Sequence, residues 1–235
     1  MKKFKVEADF KKVFPDYKLG VVICKQLNNH CQNEEQYRQL LDDSQKEALQ
    51  FIRNEDFSSN EVIRIWREAY SKFKTKKGAR SSIEALLKRV SKGNAITNIN
   101  PLVDIYNAVS LKYGLPCGGE DIDKFVGDVR LTKALGDEEF ITYGSDLSEP
   151  PYPEEIVYKD DKGAICRCFN YRECVRTCLS EDTDKAFLVI ETVDPRSKER
   201  LESAIEELAK LISEKLHAQT AIYYLEKDND EIVID

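Results

Sequence analysis

The sequence contains 235 residues, of which 41% are hydrophobic and 34% are charged, and its formal net charge is −7. This composition is typical of a soluble globular protein and excludes intrinsic disorder for most of the chain. The acidic net charge argues against a protein coated for nonspecific nucleic-acid binding, and no apolar run approaches the length that a membrane span needs.

The first ten residues carry charged side chains where a signal peptide would need an apolar segment, which predicts a cytoplasmic protein. Residues 4–27 have the character of β structure interrupted by a turn at Pro15 and Asp16. Within them, the apolar run 19–24 is typical of a buried strand.

Three helices are predicted in residues 34–92. The first spans 35–53, the second has an apolar face that includes Trp66, and the third begins at Ser81 and ends before Gly93. Their apolar residues recur at helical spacing, so each helix is expected to pack one face on the core.

Basic residues are concentrated between Lys72 and Lys92, where eight of them accompany the single acidic residue Glu84. Two interpretations are open. The stripe is either a phosphate-binding surface or a solvated helix face with a charged loop. The first interpretation predicts an RNA contact formed by Lys72, Lys74, Lys76, Lys77, Arg80, Lys88 and Arg89.

The most fully signalled helix of the chain begins after Asn100. Asn100 is a good N-cap, Pro101 suits the first helical position, and Gly114 supplies the C-terminal stop. The glycine pair Gly118 and Gly119 follows this helix. Such a pair predicts either a turn that needs positive φ or a wall where the backbone approaches a ligand closely.

From residue 126 onward the apolar residues alternate, which predicts a sheet. One hairpin is expected from 126–134 and 139–143, turned at Gly136 and Asp137, and a second from 156–158 and 164–169. The last predicted elements are a central strand at 186–192, a helix at 201–212 and a closing strand at 221–225. The fold class is therefore predicted to be α+β, with early helices, a sheet-rich middle and one late helix.

Seven cysteines form an odd number, and we expect no structural disulfide in a reducing compartment. Cys166, Cys168, Cys174 and Cys178 cluster in the sequence, but their C-x-C and C-x-x-x-C spacings differ from those of paired zinc knuckles. The sequence has only two histidines, which leaves little room for a histidine-based catalytic triad. We predict neither a metal nor a cofactor.

Polar residues near predicted strand ends are the candidates for binding chemistry. In the segment 169–177, Arg172 and Arg176 suit bidentate recognition of carboxylate or phosphate, or else form ordinary surface salt bridges. Glu191 interrupts an apolar strand, so its carboxylate lies either in water at the strand end or in a polar pocket. The full set is Asn98, Asn100, Glu120, Asp121, Asn170, Arg172, Glu173, Arg176 and Glu191.

The chain resembles the editing domain of the β subunit of phenylalanyl-tRNA synthetase, which that subunit's third and fourth B modules form. The resemblance rests on three segments in the same order: INPLVDIYNAVSLKYGLPCGGEDIDKFVGDVRL, EEIVYKDD and EDTDKAFLVIE. The chain is more similar still to freestanding relatives of that domain. The resemblance implies a sheet-rich core with flanking helices, binding of tRNA or aminoacyl-tRNA, hydrolysis of a mischarged ester in trans, and no ligase activity.

We predict a single editing-like domain over residues 1–235. Residues 1–93 form its N-terminal strand and helical part, 94–195 its best-matching core, and 196–235 its C-terminal helix and strand.

Site residues follow from the resemblance one position at a time. Gly118 occupies the position of a family histidine that contacts the substrate, and Asp121 matches a family aspartate. The family's pocket glutamate aligns with Val189, and Glu191 lies two residues on, on the same strand face. Glu191 or Asp121 is expected to orient the attacking water, while backbone amides near Gly118 and Gly119 polarise the ester.

The residue at or near the position of the family's small pocket residue is Phe169. The predicted substrate pocket comprises Asn100, Gly118, Gly119, Phe169, Asn170, Arg172 and Val189. The alternative function is a noncatalytic module that binds an amino-acid-like or other small ligand, or RNA, in the same pocket without hydrolysis.

Overall fold

The computed structural model describes residues 1–31 and 33–235. The described residues form six α-helices and ten β-strands. The helices are α1 (Ala8–Val13), α2 (Glu34–Ala48), α3 (Glu61–Tyr70), α4 (Ser82–Ser91), α5 (Pro101–Tyr113) and α6 (Lys198–Leu216). The strands are β1 (Lys3–Val6), β2 (Lys18–Lys25), β3 (Cys117–Asp121), β4 (Val129–Lys133), β5 (Ile156–Lys159), β6 (Ala164–Arg167), β7 (Arg172–Glu173), β8 (Ala186–Thr192), β9 (Gln219–Leu225) and β10 (Glu231–Val233).

The strands build two sheets that pack face to face. The larger sheet has the order β10-β1-β4-β5-β6-β7, and the smaller has the order β3-β8-β2-β9. The β1–β4 pair is parallel and the other strand pairs are antiparallel. The ring of Phe4 in β1 lies 4.9 Å from that of Phe187 in β8, so an aromatic core fills the space between the sheets. The architecture confirms the predicted α+β class with a sheet-rich core and flanking helices.

Strand β8 is central in its sheet, as predicted, and both of its faces are buried. Phe187 and Val189 pack in the core between the two sheets, whereas Leu188 and Ile190 belong to a second apolar core under α5 and α6. Successive side chains in a strand point to opposite faces, so a strand covered on both sides reads as a continuous apolar run. Glu191 has the same parity as Val189, which places its carboxylate between the sheets.

The caps of α5 are those that the sequence predicts. The Oδ1 atom of Asn100 accepts a hydrogen bond from the backbone N–H of Val103 at 3.1 Å, and Gly114 adopts the left-handed conformation with φ 60°. A methyl group on Gly114 would also lie 3.0 Å from the ring of Phe51. Helix α5 is thus fixed by local signals at both ends.

The predicted hairpin from 126–134 and 139–143 is wrong. Strand β4 pairs instead with β1 and β5, and the second segment forms only a single bridge between Glu139 and Gly163. The Glu138 carboxylate accepts hydrogen bonds from the backbone N–H groups of Leu135 and Gly136 and pairs with Lys159 at 2.7 Å. A side chain therefore satisfies backbone groups that a hairpin would have paired.

Two elements near the chain ends also differ from the predictions. Residues 8–13 form α1 rather than β structure, and the Asp9 carboxylate anchors this helix through hydrogen bonds from Thr132 and from the N–H of Phe10. Residues 231–233 form β10, a strand that was not predicted and that pairs with β1. Both are short elements whose form is set by contacts with distant strands.

Candidate functional site

The glycine pair lies in the extended strand β3, at the edge of the smaller sheet. Gly118 is opposite Val189 and Gly119 is opposite Leu188, and neither glycine has positive φ. The turn interpretation is therefore wrong. A Cβ atom on Gly118 would lie 2.9 Å from the Cβ of Asn170, and one on Gly119 would lie 2.7 Å from a methyl group of Leu188. The close approach at both glycines is made by side chains of the protein itself.

Four residues of the predicted pocket do meet at one place. Gly118, Gly119, Asn170 and Val189 line a chamber between the sheets together with Glu120, Phe125, Val129, Tyr158, Ile165, Cys166 and Phe187. The chamber has a volume of about 10 Å³, which is room for about one water molecule. Two atoms that face this region, Oε2 of Glu120 and Nδ2 of Asn170, are buried without a hydrogen-bond partner among the described residues.

Glu191 is fully buried beside this chamber. Its Oε1 atom accepts a hydrogen bond from the hydroxyl of Tyr158 at 2.7 Å, while Oε2 has no partner in the described part of the chain. Burial raises the pKa of Glu191 to about 8, and the hydrogen bond from Tyr158 acts in the opposite direction. Glu191 therefore carries its proton through most of the neutral range.

Asp121 uses both carboxylate oxygens to order the chain around the end of β3. One oxygen accepts a hydrogen bond from the N–H of Asp123 at 3.0 Å, and the other accepts one from the hydroxyl of Thr183 at 3.0 Å. Both carboxylates that were predicted to orient water thus have partners within the protein.

Phe169 lies away from the chamber, in an aromatic cluster. Its φ is 58°, and its ring centre is 5.2–6.1 Å from the centres of five other rings. These rings belong to Phe10, Phe14, Trp66, Tyr70 and Phe73. Asn100 is likewise outside the chamber, because it caps α5 and accepts a hydrogen bond from Asn29 at 3.1 Å.

A wide cleft of about 770 Å³ lies beside α5 and β7. Of the predicted pocket residues, Arg172 is in this cleft. Sequence reasoning missed the cleft because its walls come from segments far apart in the chain, which no local pattern connects. The residues that line it are Ile99, Val103, Tyr106, Thr142, Tyr143, Arg172, Glu173, Cys174, Val175, Cys178 and Leu179.

Two carboxylates are neighbours of Cys166: Glu173, which is opposite Cys166 in the β6–β7 pair and lines the wide cleft, and Glu120, which lines the small chamber. Glu173 lines the cleft, and burial raises its pKa to about 7. Glu120 is only 4% exposed, and its Oε1 atom lies 2.8 Å from the thiol of Cys166, which donates to it. Burial raises the pKa of Glu120 well above its usual range, and the nearby charge of Glu173 raises it further.

A second, basic cleft of about 320 Å³ adjoins the wide cleft at β7. Lys76 in its wall pairs with Glu149 at 2.9 Å, and buried Arg167 forms a bidentate pair with Glu155 at 2.9 and 2.8 Å. Among residues 1–31 and 33–235, neither Lys77 nor Arg172 forms a salt bridge. The residues that line this cleft are Lys76, Lys77, Gly78, Ala79, Glu149, Glu155, Arg167, Cys168, Tyr171 and Arg172.

The other residues of the predicted RNA stripe are spread along the surface. The ammonium groups of Lys72, Lys74 and Lys88 lie over the rings of Phe14, Tyr152 and Phe57, at 5.5, 5.6 and 4.3 Å from the ring centres. The guanidinium groups of Arg80 and Arg89 donate to backbone carbonyls of Gly78 and Ala95. Lys76 and Lys77 are the stripe residues that reach the basic cleft.

The arginines of segment 169–177 have different surroundings. Arg176 forms a bidentate pair with Asp160 at 2.8 Å, as the salt-bridge interpretation predicts, whereas Arg172 faces both clefts.

No group of His, Cys, Asp or Glu residues in the described ranges is arranged to hold a metal ion. Among the described residues, every helix is too short or too polar to span a lipid bilayer.

Comparisons with known proteins agree on one family. The model of the B3/4 domain family matches residues 65–217, which is more than half of the chain. A 70-residue segment is 34% identical to part of the phenylalanine–tRNA ligase β subunit of Leifsonia xyli, and this match covers 30% of the chain and 8% of that protein. The chain thus spans a small part of this curated relative.

The fold is similar to a solved structure from the same kind of subunit. The crystal structure of an N-terminal fragment of the phenylalanyl-tRNA synthetase β subunit from Pyrococcus horikoshii matches with a TM-score of 0.50 and 10% sequence identity. The match covers 95% of this chain and 54% of that fragment. At this identity the similarity concerns the fold.

Proposed function

Since this chain belongs to the B3/4 domain family, we propose that it binds aminoacyl-tRNA, with the aminoacyl group in the wide cleft and nearby phosphates in the basic cleft. The observation that carries this proposal is that Arg172 lines both clefts. Because the two clefts meet at Arg172, one ligand can reach both of them across β7.

The charges of the basic cleft suit a phosphate. Lys77 and Arg172 form no salt bridge with any described residue, so a ligand phosphate does not have to displace an internal partner. Arginine recognises phosphate with two parallel N–H donors, whereas lysine contributes a point charge. The protein as a whole carries a net charge of −7, which makes a localised RNA contact more favourable than a broad one.

The wide cleft has the size and lining expected for an aminoacyl group with its terminal nucleoside. Its volume of about 770 Å³ lies within the range of roughly 300–1,000 Å³ that is usual for small-molecule sites. Ile99, Val103 and Leu179 supply apolar walls for a side chain, and the base can stack on Tyr143, which is 89% exposed.

Hydrolysis of a mischarged ester in trans is the second part of the proposal, as the sequence resemblance implies. A competing function, binding without hydrolysis, is favoured by one observation. Neither Glu191 nor Asp121 lines the wide cleft, and both have hydrogen-bond partners within the protein. A deacylation assay over a panel of mischarged tRNAs separates the two functions, because only the hydrolytic function predicts deacylation faster than the spontaneous rate.

Removal of Lys77 and Arg172, the two cations of the basic cleft without a salt bridge to a described residue, is expected to weaken tRNA binding about tenfold at low salt, because tRNA binding then releases fewer counterions. The Lys77→Ala/Arg172→Ala protein should therefore also show a slope of log affinity against log salt that is shallower by about 1–2. Affinity is measured by filter binding or fluorescence anisotropy over a salt series.

The matched control for this experiment is Lys215→Ala/Lys227→Ala, which removes two positive charges that line neither cleft. Its affinity and salt slope should stay close to those of the wild type. Equal losses in the two double variants would mean that overall charge, rather than the basic cleft, governs binding, and would reject the proposed site.

A further inference from the structure

The carboxylate of Glu173 faces the wide cleft without a cationic partner. Of the described residues that line the cleft, the one cation is Arg172, the preceding residue of β7. Successive side chains of a strand point to opposite faces, and the guanidinium of Arg172 lies over the ring of Tyr171, 6.0 Å from its centre. Glu173 also has no salt bridge with any residue in 1–31 or 33–235.

The groups packed around Glu173 also leave its charge without a counterion. Glu120 in β3 is only 4% exposed, and its Oε2 atom has no hydrogen-bond partner among the described residues. The other titratable groups that face this carboxylate pair are neutral: Tyr106 from α5, Cys117 from β3, Cys166 from β6, and Cys174 and Cys178 after β7. None of these groups is a cation.

Two acids without a cation are unfavourable in a partly desolvated wall, unless one holds a proton and the other meets a positive group. Glu120 is 4% exposed and lines the small chamber, whereas Glu173 is half-buried in the cleft wall, so the proton belongs on Glu120. A single negative charge then remains at Glu173, on the side that opens to the cleft.

We propose that Glu173 binds the α-ammonium group of the aminoacyl ester, so that the wide cleft selects tRNA with a free α-amine over deacylated or N-acylated tRNA. This inference rests on the proposed function. The ligand would place its ammonium group at Glu173 and a phosphate at Arg172, on opposite sides of the two-residue strand β7. Aminoacyl-tRNA carries both groups at its acceptor end.

An ammonium group fits this wall better than a metal ion does. The neighbours of Glu173 in the cleft include apolar and aromatic side chains such as Val103 and Tyr106, and a metal site would need several converging ligands. No such group of ligands occurs in the described residues. One charged carboxylate beside neutral neighbours such as Val103 and Tyr106 matches one positive charge.

The test compares three forms of one tRNA: deacylated, aminoacylated through a stable 3′-amide, and the same amide after N-acetylation. The wild type is expected to bind the free-amine form about tenfold more tightly than the acetylated form, because a charge-assisted hydrogen bond is lost on acetylation. The Glu173→Gln protein should bind these two forms equally.

Glu181→Gln is the matched control, because Glu181 is exposed and lies outside the cleft lining. It should retain the preference for the free amine. A second measurement needs no variant. Lowering the pH from 7.5 to 5.5 protonates Glu173, whose pKa is about 7, but leaves the ligand ammonium charged, so the preference should fall.

The outcomes separate this inference from the function on which it rests. A wild type that binds none of the three tRNA forms overturns the proposed function itself. A wild type that binds tRNA but has equal affinity for the free and acetylated forms overturns the role of Glu173 alone. Retention of the preference by Glu173→Gln, or its independence of pH, does the same.

Discussion

Replacement of Phe169 by alanine is expected to lower the free energy of unfolding by about 3–5 kcal/mol, as is usual for the loss of a buried aromatic ring. Phe169 is 1% exposed, and rings from α1, α3 and the residues beside them surround it on several sides. Large neighbours such as Trp66 and Tyr70 cannot collapse into the space that the ring leaves.

Urea unfolding monitored by the fluorescence of the single tryptophan, Trp66, measures this loss directly. Tyr171→Ala is the matched control, because Tyr171 is only partly buried and should lose no more than about 1 kcal/mol. The opposite result would be informative. A Phe169→Ala protein of wild-type stability that bound an amino acid more tightly would place Phe169 in a substrate pocket, as the resemblance implies.

Local signals predicted the parts of the fold that local interactions determine. Helix α5 has its N-cap at Asn100 and its left-handed stop at Gly114, so the sequence alone identifies both ends. Strand β8 is an unbroken apolar run because both its faces are covered, which the sequence also shows. These elements need no knowledge of the tertiary structure.

The elements that the sequence did not predict depend on distant partners. Strand β3 begins with a cysteine and two glycines, which have no local preference for extended structure, and its pairing with β8 imposes that conformation. The predicted hairpin after β4 does not form. The Glu138 carboxylate accepts hydrogen bonds from the backbone N–H groups of Leu135 and Gly136, and β4 pairs with β5 instead of the expected segment. In both cases the decisive contact lies outside the window in which a pattern is read.

In the candidate site too, the sequence identified individual residues but not the contacts between distant segments. Polar patterning singled out Arg172 and named Glu120 and Glu173 among the candidates, but it could not show that Arg172 joins two clefts or that both carboxylates are neighbours of Cys166. The resemblance directed attention to the glycine pair, where the structure places a nearly filled chamber. The wide cleft is formed by tertiary packing.

Glu191 is expected to make the protein less stable as the pH rises from about 4.5 to 8. Its ordinary pKa is 4.5, and burial raises the pKa to about 8 in the folded state. Within this window the folded protein binds more protons than the unfolded chain. The contribution of Glu191 to the free energy of unfolding is therefore complete below pH 4.5 and is lost as the pH rises through the folded pKa. The slope from this one group is at most about 1.4 kcal/mol per pH unit.

The Glu191→Gln protein should therefore gain stability relative to the wild type, and the gain should grow with pH to about 3 kcal/mol at pH 7, as an upper estimate from the shifted pKa. The amide oxygen of glutamine can still accept the hydrogen bond from Tyr158, so packing and polarity between the sheets are preserved. Urea unfolding of both proteins at pH 5, 6, 7 and 8 gives the difference at each pH.

Only the difference between the two proteins isolates Glu191, because burial raises the pKa of Glu120 and Glu173 as well. Those groups contribute the same sign of pH dependence to both proteins and cancel in the comparison. Exposed Glu181→Gln should show no pH-dependent gain. A gain for Glu191→Gln that was constant from pH 5 to 8 would mean that Glu191 is ionised in the folded protein. Its carboxylate would then be charged at neutral pH, as a water-orienting role in hydrolysis requires.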